Sequence, residues 1–272
     1  MTFLIHGSGM NEYDWAPVLK PMEEAGLNAV TFVWRGHSRS LPFDKEKFAG
    51  TGLFDYVEDA QTVLDKYKVE LGLADEQITI AGHSYGTIIN SYLARNKNYK
   101  SILNFCAGYP NEEFFKSNGV DIKNKNQLTK SLGGLWNFAS DEYIKATLEE
   151  AGQGECLSNY RENGTLESHV RQLFNVEVPD NYNGSLEKLL GPYSRKAVAE
   201  ALLDPPFLPK RAEINSPMHF FSATEDKMVS GETIKKMADA WQGSYQELPG
   251  PHVITYSPYL NEVIAEIKKH AG

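Results

Sequence analysis

Ser84 sits at the centre of Gly82-His83-Ser84-Tyr85-Gly86, a G-x-S-x-G pattern. Two residues far downstream are of the types that would activate it: Asp226 in Thr224-Glu225-Asp226-Lys227-Met228-Val229, and His252 in Leu248-Pro249-Gly250-Pro251-His252. A serine hydroxyl is a poor nucleophile until a base takes its proton. Histidine is the usual base, and a buried carboxylate fixes its tautomer and stabilises the imidazolium that forms. The chemistry these types imply is acyl transfer to Ser84, followed by attack of a water activated by His252.

That chemistry requires elements that bring the three together. Ile78-Thr79-Ile80-Ala81 reads as a buried strand before Ser84, and Thr87 to Arg95 as a helix after it. A serine between strand and helix occupies a sharp, strained turn that lifts its oxygen clear of the sheet. The helix N-terminus beside it favours developing negative charge. Met218–Ala223 reads as a strand ending just before Asp226, and Ser244–Leu248 as one ending before His252. Upstream, Phe3-Leu4-Ile5 is a strand that stops at His6-Gly7-Ser8-Gly9. Asp14 to Glu24 has helical spacing, with Trp15, Val18, Leu19 and Met22 on one side and Gly26 as its end. Ala29–Val33 is a second strand, leading into the loop Trp34-Arg35-Gly36-His37-Ser38-Arg39-Ser40. Phe54 to Leu71 is an amphipathic helix with Val57, Ala60, Val63, Leu64 and Tyr67 inward, and Ser101–Cys106 the next strand. Gly231–Trp241 and Asn261–His270 close the pattern as helices. Such alternation predicts an α/β fold, a mostly parallel sheet flanked by helices, with ligands at the carboxyl ends of the strands. Between residues 108 and 210 the alternation breaks into a polar stretch with helical patches near 143–151, 166–174 and 195–203. It is too long for a structureless loop. It reads as an inserted helical cap on a core of residues 1–107 and 211–272.

The 272 residues suit one large α/β domain or a core with an insertion, and 41% hydrophobic residues supply a core. A net charge of −9 argues against nucleic acid or an anionic membrane as partner. Two cysteines, Cys106 and Cys156, make neither a disulfide framework nor a zinc pattern; they fit a reducing, cytoplasmic compartment. No apolar run approaches a membrane span, and the first residues enter a strand without a basic leader. The seven histidines show no metal-ligand spacing. The expected partner is a small-molecule substrate, with no metal or cofactor, acting on a monomer or homodimer.

The chain resembles the α/β-hydrolase family over roughly residues 3–107 and 211–270. The likeness is carried by His6-Gly7, Arg35-Gly36-His37 with Ser40, the pattern around Ser84, Glu225-Asp226 with Val229, and Gly250 with His252. The resemblance implies that Ser84 is the nucleophile, His252 the base and then the acid, and Asp226 the orienter. It also implies an oxyanion hole from the backbone N–H groups of Ser8 and Tyr85. Typical members carry a hairpin before the His-Gly strand. Here that strand begins at residue 3, as in the plant methylesterase and hydroxynitrile lyase branch.

Several assignments stay open. Glu225 rivals Asp226, and so does an acid after the strand ending at Cys106, where the chain offers Asn104 and Glu112. His6 and His37 read as ties to loop backbone, Arg35 as a tie between loops, and Cys106 as a small buried strand residue. His83, Trp136 and Tyr143 are candidate substrate contacts, and Tyr160 a candidate for a pocket roof. The leading activity is hydrolysis of a small, fairly apolar carboxylic ester; a lactone, thioester, amide or C–C bond suits the same residues. The Trp34-Arg35-Gly36-His37 loop is reminiscent of cofactor-free quinolone dioxygenases. Hydroxynitrile-lyase chemistry, or a hydrolase-like receptor for a small molecule, fits the same fold.

Overall fold

Short apolar strands alternating with one-sided helices leave one economical arrangement: strands side by side, helices over both faces. The computed structural model describes residues 1–37, 40, 50–107, 209–256 and 258–272, with 119, 121, 197 and 200 and the backbone of 154–155 and 193–194. Trp136, Tyr143, Tyr160, Glu112, Cys156 and most of the expected cap lie outside the described residues.

The strands are β1 (Thr2–Ile5), β2 (Ala29–Thr31), β3 (Thr79–His83), β4 (Ser101–Phe105), β5 (Gly154–Glu155), β6 (Tyr193–Ser194), β7 (Met218–Ala223) and β8 (Ser244–Leu248). Six of them form one sheet in the order β2-β1-β3-β4-β7-β8, each pair of neighbours parallel. β5 and β6 make a separate antiparallel pair. β1, β3 and β4 are buried along their whole length, as parallel strands covered on both faces must be.

The described helices are α1 (Ala16–Glu24), α2 (Leu53–Leu71), α3 (Gly86–Leu93), α4 (Gly231–Ala240) and α5 (Leu260–Ala271). Strand side chains alternate between faces. Phe3, Ile5, Ile80 and Ile102 therefore share one core with Ala60 and Leu64 of α2, Ile88 and Ile89 of α3 and Ile234 of α4. Leu4, Ala81, Leu103 and Phe105 share the other with Val18 and Met22 of α1 and Val263 and Ile267 of α5.

Some element bounds and one buried face differ from what the sequence predicts. The helix expected from Asp14 begins at Ala16, because Glu12–Asp14 forms a 3-10 turn that buries the Asp14 side chain. α2 buries Leu53, Tyr56, Ala60 and Leu64, while Tyr67 stays half-exposed; Tyr56 wins the inward place by stacking on Trp34 at 4.8 Å. β2 stops at Thr31, after which Phe32 and Trp34 leave the ladder and pack into the core.

The register places the strand ends together. Ile5 lies opposite Gly82, His83 opposite Phe105, Phe105 opposite Phe221, and Ala223 opposite Leu248. The segments carrying Ser8, Ser84, Cys106, Asp226 and His252 thus leave one edge of the sheet. Among the described residues no helix is long and apolar enough to cross a membrane.

Candidate active site

Only Ser84 and Tyr85 separate β3 from α3, and Ser84 takes up the reversal with φ of 49°. That left-handed conformation is strained for a residue with a Cβ and persists only where its surroundings enforce it. Its surroundings do so through close approach. A Cβ on Gly86 would come 2.5 Å from the Ile5 carbonyl oxygen, and one on Gly82 2.7 Å from the Gly86 carbonyl carbon. The Ser84 N–H donates to Phe105 O at 2.9 Å, and the Thr87 hydroxyl donates to Ser84 O at 2.7 Å.

His252 Nε2 lies 3.0 Å from Ser84 Oγ, and His252 Nδ1 lies 2.8 Å from Asp226 Oδ2. Both side chains are withdrawn from solvent. The second carboxylate oxygen of Asp226 accepts the N–H groups of Met228 at 2.7 Å and Val229 at 2.9 Å. With the carboxylate so fixed as an acceptor, Nδ1 holds the imidazole proton and Nε2 turns its lone pair to the serine. Glu225, the rival acid, is exposed, and its N–H is spent on Gly250 O at 2.8 Å. Asn104 lies within β4, its amide donating to His219 O at 3.4 Å.

Cys106 ends up not in the strand but just past it, with φ of 49° and its N–H on Phe221 O. Its thiol is buried; burial first, and then the Asp226 carboxylate that accepts its hydrogen bond, push its pKa well up. It is a neutral donor to Asp226, not a thiolate.

The loop after β1 lies against the serine. A Cβ on Gly7 would stand 3.2 Å from Ser84 Cβ, a tight contact that glycine avoids. Tyr85 follows the serine directly, and its hydroxyl donates to Ala197 O at 2.9 Å. Glu200 likewise accepts the Leu53 N–H at 2.7 Å at the start of α2.

The sequence offers His83 as a candidate substrate contact. Its ring is fully buried, with Nδ1 2.9 Å from Asp14 Oδ2 and Nε2 2.8 Å from the His252 carbonyl oxygen. It faces the interior beneath the serine, where both nitrogens already have partners. Burial alone would raise the pKa of Asp14, but the charge and hydrogen bond of His83 outweigh it and hold the carboxyl low. Burial alone would lower His83, and Asp14 outweighs it in turn, raising the imidazole. Asp14 escaped the sequence reading because an acid at the start of an apolar-striped helix ordinarily reads as a cap.

His6 and His37 do bond loop backbone, through Nδ1 to Gly7 O at 2.9 Å and to Arg35 O at 3.1 Å. Their rings lie 4.1 and 5.5 Å from that of Trp34. Burial drives His6 down to about 4 and His37 to about 3, leaving both neutral. Arg35 ties its loop to α2, with Nε 2.9 Å from Asp59 and Nη1 3.1 Å from Asp55.

Among the described residues, one trio brings metal-ligating atoms within 4.8 Å of one another: His83, Cys106 and His252. A metal there would have to break the bonds of His83 to Asp14 or His252 O, and of His252 to Asp226 or Ser84, and to ionise a thiol that burial keeps protonated.

A parallel sheet with a strained serine at the turn out of a central strand, and acid and histidine loops at the ends of the strands beyond it, is α/β-hydrolase architecture. The model of the Alpha/beta hydrolase family matches residues 3–261, and the chain belongs to that family, which makes it a hydrolase. A search of curated proteins finds no match. Among solved structures it is similar to a monoglyceride lipase variant from Saccharomyces cerevisiae in complex with a substrate analog (TM-score 0.69, 13% identity, covering 100% of this chain and 86% of that one). It is similar to a pyrethroid hydrolase from Sphingobium faniae JZ-2 (TM-score 0.66, 18% identity, 99% and 96% covered). It is also similar to a variant of tomato methylketone synthase I in complex with β-ketoheptanoate (TM-score 0.64, 16% identity, 100% and 96% covered). At such identities the likeness is one of fold.

Proposed function

We propose that the protein cleaves a small, fairly apolar carboxylic ester through an acyl-enzyme on Ser84. One observation carries this: His252 Nε2 stands 3.0 Å from Ser84 Oγ while Nδ1 is held 2.8 Å from Asp226. His252 takes the Ser84 proton as Oγ adds to the ester carbonyl, and Asp226 stabilises the resulting imidazolium. The oxyanion meets the N–H groups of Ser8 and Tyr85; two preorganised donors of this kind are commonly worth several kcal/mol of barrier. The imidazolium then protonates the leaving alkoxide. Water, deprotonated by His252, attacks the acyl group, and the acid and free serine are released. A monoglyceride lipase and a pyrethroid hydrolase among the similar structures support an apolar ester as substrate.

Residues 108–210 act as the cap that selects the substrate, with Trp136 and Tyr143 as lining and residues 1–107 and 211–272 as the core. The contacts of Ala197 with Tyr85, the residue after the nucleophile, and of Glu200 with Leu53 support this, since they join the insert to the core. Cytoplasmic residence is supported by the cysteine usage, Cys106 being a free thiol.

The test is intact-mass spectrometry after exposure to a fluorophosphonate, with Ser84→Ala as control. One adduct on the native chain, absent from the variant, is expected, followed by turnover on an ester panel. No adduct on the native chain, or one that survives the substitution, would overturn the proposal; oxygen uptake with substrate would point to the dioxygenase chemistry instead.

A further inference from the structure

Beneath Ser84 one buried carboxylate holds three segments of the chain. Asp14 Oδ2 accepts the Gly7 N–H at 3.2 Å and faces His83 Nδ1 at 2.9 Å. Asp14 Oδ1 accepts the Thr255 hydroxyl at 3.0 Å. His83 extends the tie, its Nε2 lying 2.8 Å from the carbonyl oxygen of His252. Gly7 precedes the proposed oxyanion donor Ser8, His83 precedes the nucleophile, and Thr255 follows the base by three residues.

The partners fix the protons. A carbonyl oxygen only accepts, so His83 Nε2 carries a hydrogen. A second proton must occupy the line between Nδ1 and Oδ2. With Asp14 Oδ2 also accepting from Gly7 and Oδ1 from Thr255, hydrogen bonds that favour the ionised carboxylate, and with Asp14 held low and His83 raised, the second proton goes to Nδ1. The arrangement is an imidazolium beside a carboxylate, both without exposure to solvent.

A buried ion pair is a poor source of stability, because desolvation offsets its attraction and an apolar replacement packs as well. An apolar pair would not bind an amide, a hydroxyl and a carbonyl from three segments at fixed distances. We infer that Asp14 and His83 are positioning residues, a buried charged pair that sets the oxyanion loop and the His252 segment against Ser84. The inference rests on the reading of Ser84 and His252 as the reacting groups. No described contact brings either residue to the substrate side, so they act through the backbone they hold.

The test has a spectroscopic and a kinetic arm. In a histidine side-chain nitrogen spectrum of the native protein at about pH 8, above the ordinary imidazole range, His83 should show both nitrogens protonated. A His83 ring with one protonated nitrogen would overturn the inference. Asp14→Asn and His83→Gln should each lower kcat about 100-fold per folded molecule, the scale of a small misplacement of reacting groups. KM should stay within about threefold, and the double variant should lose little more than either single one, because both break the same unit. Losses that multiply, or kcat unchanged per folded molecule, would overturn it. Should those variants fail to fold, Thr255→Val removes one tie without changing charge; it should lower kcat about tenfold, and an unchanged kcat would count against the inference as firmly. A native chain that takes no fluorophosphonate sinks the serine-hydrolase reading itself; an adduct together with a neutral His83 sinks only this one.

Discussion

Two aspartate–histidine pairs lie side by side in this molecule, their imidazole rings 5.2 Å apart. In both, Nδ1 faces a buried carboxylate oxygen, at 2.8 Å for His252 and 2.9 Å for His83. They part at the other nitrogen. His252 Nε2 faces a hydroxyl, which has a proton to give. His83 Nε2 faces a carbonyl, which has none. One partner atom thus separates a ring suited to moving a proton from a ring fixed as a doubly protonated strut. An aspartate–histidine contact is therefore no sign of a base until the far nitrogen's partner is known.

The largest expected effects break the comparison on the His252 side. Ser84→Ala should reduce ester hydrolysis to background with little change in Tm, and Asp226→Asn should lower kcat by about 10⁴-fold by favouring the wrong histidine tautomer. Steady-state kinetics on a responsive ester check both, and retained turnover in either would remove that residue from its role. The losses of about 100-fold expected for Asp14→Asn and His83→Gln come next; losses as deep as that of Asp226→Asn would erase the distinction between base and strut.

Stability against pH sharpens the comparison further. His83, raised by Asp14, contributes stability that is fully present below its ordinary value of 6.5 and lost as pH rises through its folded value. Asp14, held low, contributes stability present above its usual 3.8 and lost as pH falls through its folded value. His6 and His37 behave oppositely to His83. Lowered to about 4 and about 3, they leave the unfolded chain to take up protons first, so stability falls as pH drops below 6.5 toward those values. Thermal melts from pH 7 to 4 should show Tm falling, and His6→Gln should flatten that fall; an unaltered slope would show that the ring is not kept neutral. The smallest effect belongs to Glu225→Gln, which should change kcat by less than about twofold, since its side chain is exposed and the carboxylate facing His252 Nδ1 is that of Asp226. A large loss there would return the acid's role to Glu225.

Ser84, Asp226 and His252 were legible because each stands just past a short strand, in a local pattern that sequence displays. The parallel sheet was legible from alternation. Asp14 carried no such mark: its meaning lies in burial and in partners 69 and 241 residues away. The inward face of α2 was half legible, since its apolar residues form two adjacent stripes and the contact of Tyr56 with Trp34, from another segment, selects between them. Cys106 read as a strand residue because its turn depends on Phe221 and Asp226, far along the chain.

The Asp14–Thr255 bond also bears on how the molecule is made. Synthesis proceeds from the amino end at roughly 5–20 residues per second, and domains tend to fold in that order. Asp14 and His83 leave the ribosome early, while Thr255, which completes the carboxylate's partners, follows Asp14 by 241 residues. Until then His83 has no His252 carbonyl to hold and Ser84 has no His252 ring beside it. On the proposed roles of Ser84 and His252, the nascent chain should therefore be inert toward esters until the segment around residue 255 docks.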